Sequence, residues 1–95
     1  MAKAYWIAHV TVTDPDNYSL YANGAPKAFE KYGAKILARG GAFEQLEGKG
    51  HTRNVVIEFA SMQDALNCYH SKEYQSAKEH RENAGIAEIV IVEGV

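Results

Sequence analysis

Cysteine is almost missing from this chain of 95 residues: Cys68 stands alone, so no internal disulfide can form, and a reducing, cytoplasmic setting is expected. Histidine occurs four times, but no two histidines have metal-ligand spacing, and one cysteine among them does not make a zinc site. Neither sign of charge dominates. Ten Lys and Arg against 12 Asp and Glu leave a net charge of −2, mixed along the chain. That balance lacks the basic footprint of a nucleic-acid or anionic-membrane binder. There is no apolar run of signal-peptide or membrane-spanning character. Gly-x-Ser-x-Gly, phosphate-loop and Gly-x-Gly-x-x-Gly motifs are also missing, so no cofactor is expected.

What is present reads as one globular domain over residues 1–95, apolar at 46% and charged at 23%. Residues 53–60 organise it. Val55, Ile57 and Phe59 alternate with Val56 and Glu58, which predicts a strand in the middle of a sheet with a carboxylate that needs a partner. Residues 4–13 alternate as Tyr5, Ile7, His9, Thr11 on one face and Trp6, Ala8, Val10, Val12 on the other, a first strand. Asp14-Pro15-Asp16 starts a helix. Pro26 predicts a break at Gly24-Ala25 and a second helical piece to Tyr32. Residues 34–39 form a second strand, and residues 42–47 continue or reverse it after Gly40-Gly41. Ser61 and Ser71 start two helical segments, in which Cys68 reads as a small buried hydrophobe. Ile86 to Val92 is the last strand.

The order β-α-β-β-α-β predicts a ferredoxin-like α+β fold: a four-stranded antiparallel sheet, first and third strands central, helices on one face. Both faces of three strands are largely apolar, so the uncovered face would be larger than soluble monomers expose. A homodimer packed sheet to sheet is therefore expected.

Few polar residues interrupt the strands: His9, Arg39, Arg53 and Glu58. If neighbouring strands place His9, Arg39 and Glu58 on one face, Arg39 and Glu58 form a bidentate pair. The catalytic reading then has Arg39 anchoring an anion while His9 or Glu58 moves a proton; the structural one is a satisfied polar network in a dimer interface. Trp6 and Tyr21 would line a pocket for a small aromatic molecule. Tyr69 and His70, at a helix junction, are further candidates, His70 as a general base or a surface residue. Arg39-Gly40-Gly41 reads as an anion-binding backbone or, more simply, a bend.

The segments Tyr5-Trp6-Ile7-Ala8, Lys31-Tyr32-Gly33, Leu37-Ala38-Arg39-Gly40-Gly41, Leu46-Glu47-Gly48, Val56-Ile57-Glu58-Phe59 and Cys68 to Gln75 resemble the domain of unknown function 1330 family. With Asp14-Pro15 and Val90 to Gly94 they span nearly the whole chain. The resemblance implies a bacterial protein with a ferredoxin-like subunit and a dimeric α+β barrel built from two sheets. The wider group implies cofactor-free monooxygenases, haem-degrading enzymes, dehalogenase-like proteins and ligand-binding regulators. Position 9, often arginine in that pattern, is His9 here, a titratable group in place of a permanent cation. Two functional readings follow. One is a small-molecule-pocket protein, a cofactor-independent enzyme acting on a small organic acid or aromatic compound. The other is a non-catalytic dimeric module that binds a ligand or a protein.

Overall fold

In the computed structural model, which describes residues 2–95, four strands and three helices follow the expected order. They are β1 (Ala4–Val12), α1 (Pro15–Lys31), β2 (Lys35–Arg39), β3 (Arg53–Phe59), α2 (Met62–Tyr69), α3 (Lys72–Arg81) and β4 (Gly85–Glu93). The sheet is antiparallel with order β2-β3-β1-β4, so the first and third strands are central. This is a ferredoxin-like α+β fold.

The period-two alternation of β1 decides which face is covered. Ala4, Trp6, Ala8 and Val10 are buried beneath the helices, together with Ile57 and Phe59 from β3. Tyr5, Ile7, His9 and Thr11 point the other way, toward a face no helix covers, in register with Val92, Val90, Glu88 and Ile86 of β4. Three of those β4 positions are apolar and well exposed: Ile86 at 61%, Val90 at 55% and Val92 at 47%.

Trp6 is the hub of the core. Its ring meets Phe29 edge-on at 5.3 Å and Tyr74 edge-on at 4.9 Å, stacks over Phe59 at 6.1 Å, and tilts against Tyr69 at 5.7 Å. Residues from β1, α1, α2, α3 and β3 therefore converge on one indole, which locks the three helices to the sheet.

The helix starts follow their local chemistry. The Asp14 carboxylate accepts from Asn17 N–H at 3.3 Å, Ser61 Oγ from Asp64 N–H at 3.1 Å, and Ser71 Oγ from Tyr74 N–H at 3.1 Å. Two expectations fail. The predicted break at Gly24-Ala25 is absent: α1 runs unbroken through Pro26. Packing outweighs the local penalty, because a Cβ at Gly24 would sit 3.2 Å from Ala77 Cβ, so glycine lets α1 approach α3 closely. Residues 42–47 form no strand, and Phe43 and Leu46 stand exposed at 50% and 82%. β2 pairs directly with β3, and residues 40–52 between them form the connecting loop.

Cys68 is fully buried, and burial pushes its thiol up to about 12. A thiol reagent at about pH 8 should therefore leave the folded protein unmodified and label Cys68 fully once denaturant is added; rapid labelling of the native protein would contradict this burial.

Candidate active site

A bulge in β2 determines which side chains meet. Lys35 pairs with Glu58 and Ile36 with Ile57, but then Ala38 pairs with Val56 and Arg39 with Val55, leaving Leu37 as the extra residue. In an unbulged strand Arg39 would fall opposite Asn54, on the uncovered face beside His9. The inserted residue turns it over. Arg39 thus shares the helix-covered face with Val55, and the expected convergence of His9, Arg39 and Glu58 does not occur.

The uncovered face keeps the other two members, apart from each other. Glu58 lies opposite Tyr5, four residues along β1 from His9. It is 3.5 Å from Lys3 Nζ and 3.5 Å from the Tyr5 hydroxyl, so its partners are these and not Arg39. His9 Nδ1 is 2.6 Å from Asn54 Oδ1. Beside it a second chain of contacts runs from Thr11 Oγ1 to His51 Nδ1 at 2.7 Å and from His51 Nε2 to Glu88 at 2.5 Å. Tyr69 and His70 border a shallow depression between α2 and β4, together with Met62, Leu66 and Ile89. Arg39-Gly40-Gly41 is a bend: the Gly40 N–H donates to Asn54 O at 2.9 Å and is not available to an anion.

The deep cavity lies elsewhere, between α1 and the covered face of the sheet, with a volume of about 340 Å³. Trp6 and Tyr21 line it, with Ala25, Phe29, Val55 and Ile57 supplying further apolar wall. Three guanidinium groups line it too: Arg39, Arg53 and Arg81. No carboxylate is among its lining residues, and none of the three arginines has an ion-pair partner among the described residues.

Each arginine is placed by the fold. Arg53 lies opposite Val10 and two residues from Val55, the partner of Arg39. Arg39 and Arg53 are therefore diagonal neighbours on one face, a like-charge pair that repels unless an anion is shared between them. Arg53 lies against the Tyr18 ring, its guanidinium carbon 5.8 Å from the centroid, and its buried Nε has no hydrogen-bond partner. A Cβ on Gly40, which has φ of 65°, would come within 2.5 Å of Arg53 Nη1, so glycine there both makes the turn and leaves room for the guanidinium. We expect Gly40→Ala to cost about 1 kcal/mol, read as a denaturation midpoint shift, and to displace Arg53.

Arg81 enters from α3 and is 92% buried by its 8% exposure. Its Nη1 donates to the Tyr74 hydroxyl at 3.0 Å and lies 3.5 Å from that of Tyr21, while its guanidinium carbon sits 5.0 Å from the Tyr21 ring centroid. Burial pushes the Tyr74 and Tyr21 phenols above their ordinary values, so both remain protonated. The Arg81 role was not assigned from sequence, although Tyr74, Ala77 and Arg81 share one helical stripe. An arginine on a stripe of buried residues was the available signal.

Among the described residues, no group of three or more His, Cys, Asp or Glu side chains is placed to hold a metal ion. Nor, among the described residues, is any helix long and apolar enough to cross a membrane.

A ferredoxin-like α+β subunit with an arginine-lined cavity between its layers is the class this geometry defines. The chain belongs to the domain of unknown function family DUF1330, whose model matches residues 3–95. Among solved structures it is similar to a protein of unknown function from Rhodopseudomonas palustris, with 18% identity and a TM-score of 0.75 over 99% of this chain and 83% of that one. It is also similar to a cofactor-independent oxygenase from Streptomyces nogalater, with 7% identity, a TM-score of 0.66, and coverage of 100% and 95%. A dimeric protein of unknown function and ferredoxin-like fold from Bacteroides fragilis matches with 14% identity, a TM-score of 0.59, and coverage of 97% and 96%. These likenesses establish the fold. No curated protein matches the chain.

Proposed function

We propose that this chain is a small-molecule-pocket protein whose ligand is a compact organic acid with an apolar, aromatic body. The observation that carries this reading is the cavity of about 340 Å³ whose otherwise apolar wall bears three guanidinium groups and no carboxylate. Arg81 is buried and Arg53 half-buried without counter-ions, which is costly, and an anionic ligand shared with the more exposed Arg39 relieves that cost while its ring packs against Trp6 and Phe29. Arg39 and Arg53 anchor the anion, and Trp6 and Tyr21 shape the wall.

Similarity to a cofactor-independent oxygenase supports an enzymatic version of this reading. The absence of His, Asp, Glu and Cys from the cavity wall favours a second one, a non-catalytic ligand-binding module, because no side chain there is suited to act as a general base at neutral pH. His9 and Glu58 would handle protons only for chemistry on the other face of the sheet. That face, with Ile86, Val90 and Val92 exposed, is best covered by a second copy of the chain. A dimeric structural relative supports this arrangement.

A thermal-shift screen against organic acids, aromatics, quinones and haem at fixed protein concentration tests the pocket. An acid at a hundredfold excess over its dissociation constant should add roughly 2.7 kcal/mol and raise the midpoint on the order of ten degrees. Arg39→Ala should erase that shift and leave the oligomeric state intact. A response confined to neutral compounds would overturn the reading.

A further inference from the structure

The two phenols beside Arg81 are not equivalent. Tyr74 is fully buried, and its hydroxyl has two neighbours: Arg81 Nη1, which can only donate, and the Tyr21 hydroxyl at 2.8 Å. The Tyr74 proton therefore has one acceptor within reach, the Tyr21 oxygen. Any other orientation would leave a buried O–H unpaired. With Tyr74 donating, the Tyr21 oxygen accepts from Tyr74 and, at 3.5 Å, faces Arg81 Nη1 as well. Its own proton then has no acceptor among the described residues, and Tyr21, unlike Tyr74, lines the cavity.

Resting on the pocket reading above, we propose that Arg81, Tyr74 and Tyr21 form a one-way hydrogen-bond relay that ends in a donor aimed into the cavity, and that the ligand carries a second oxygen, a carbonyl or phenolate, to accept it. The ligand class is thereby narrowed to aromatic oxo or hydroxy acids with two oxygen poles. Strand-borne Arg39 and Arg53 hold the carboxylate, and helix-borne Tyr21 holds the acceptor. The charge of Arg81 polarises the relay, which strengthens the terminal O–H as a donor. Tyr74 acts through Tyr21 and is a positioning residue.

Three benzoates of similar shape test the polarity by calorimetric titration: para-acetylbenzoate, para-ethylbenzoate and para-(aminomethyl)benzoate. The wild-type protein should bind the acetyl compound about tenfold more tightly than the ethyl compound and the aminomethyl compound most weakly. Tyr21→Phe should abolish the acetyl preference while leaving ethyl affinity unchanged. Tyr74→Phe, which keeps the Tyr21 hydroxyl but removes its orienting partner, should shrink the preference to about threefold. Equal binding of acetyl and ethyl compounds, a preference for the aminomethyl compound, or a preference that survives Tyr21→Phe would each overturn the proposal. A full preference retained in Tyr74→Phe would overturn the relay and leave Tyr21 acting alone. If none of the three benzoates binds, the organic-acid reading falls and takes this proposal with it.

Discussion

Replacing Trp6 with alanine should destabilise the fold by about 3–5 kcal/mol, lowering the thermal midpoint by about 15–25 °C. The size of the effect follows from the packing. Trp6 is 1% exposed and touches aromatic rings from α1, α2, α3 and β3, so its removal leaves a void bordered by every layer of the domain. None of those neighbours can collapse into the space without releasing another contact. Trp6→Phe should cost much less, because a smaller ring keeps part of the edge-on contact with Tyr74. Urea denaturation followed by circular dichroism measures both. A loss under about 1 kcal/mol for Trp6→Ala would contradict the hub role.

Val90→Asp should convert the proposed homodimer to a monomer, raising its dissociation constant by at least about a thousandfold. Val90 lies opposite Ile7 on the uncovered face and is 55% exposed in the single chain. In a two-fold dimer packed sheet to sheet, each substitution is met twice, and two carboxylates are buried in the interface. The folded subunit should tolerate the change, since no helix packs on that face. Sedimentation of the wild-type and Val90→Asp proteins measures the effect. A wild-type monomer, or a Val90→Asp dimer of undiminished affinity, would contradict sheet-to-sheet assembly.

The fold was legible wherever one physical signal acted alone. Alternation in β1 separated Trp6, Ala8 and Val10 from Tyr5, Ile7 and His9 without deciding which face the helices cover, and serine capping placed the starts of α2 and α3 at Ser61 and Ser71. It was misread where a distant contact outweighed a local rule. Pro26 signals a break, yet α1 continues through it, with Gly24 closely approaching Ala77 of α3. Phe43 and Leu46 look like strand residues, but they lie in the loop that joins β2 to β3.

The candidate site shows the same division. Arg39, Trp6 and Tyr21, read from the sequence as candidate ligand-binding residues, line one cavity. Their expected companions His9 and Glu58 lie across the sheet, because the extra residue Leu37 reverses the side on which Arg39 emerges. A bulge of this kind leaves little trace in composition. Gly40-Gly41 marked a bend without indicating where the register shifts. Arg53 was noted as polar within a strand, but its partnerless Nε and its place beside Arg39 needed the β1–β3 and β2–β3 registers.

The central claim is that the cavity selects an organic anion, and Trp6 offers the readout, since this single tryptophan lines the cavity. The decisive measurement is a fluorescence titration of the wild-type protein with an aromatic acid and with its methyl ester, repeated on the Arg39→Ala, Arg53→Ala double variant. The account predicts saturable change in Trp6 emission with the acid, binding at least about thirtyfold weaker for the ester, and acid affinity reduced to that of the ester in the variant. Equal affinity for acid and ester, or an acid affinity untouched by loss of both arginines, would contradict it.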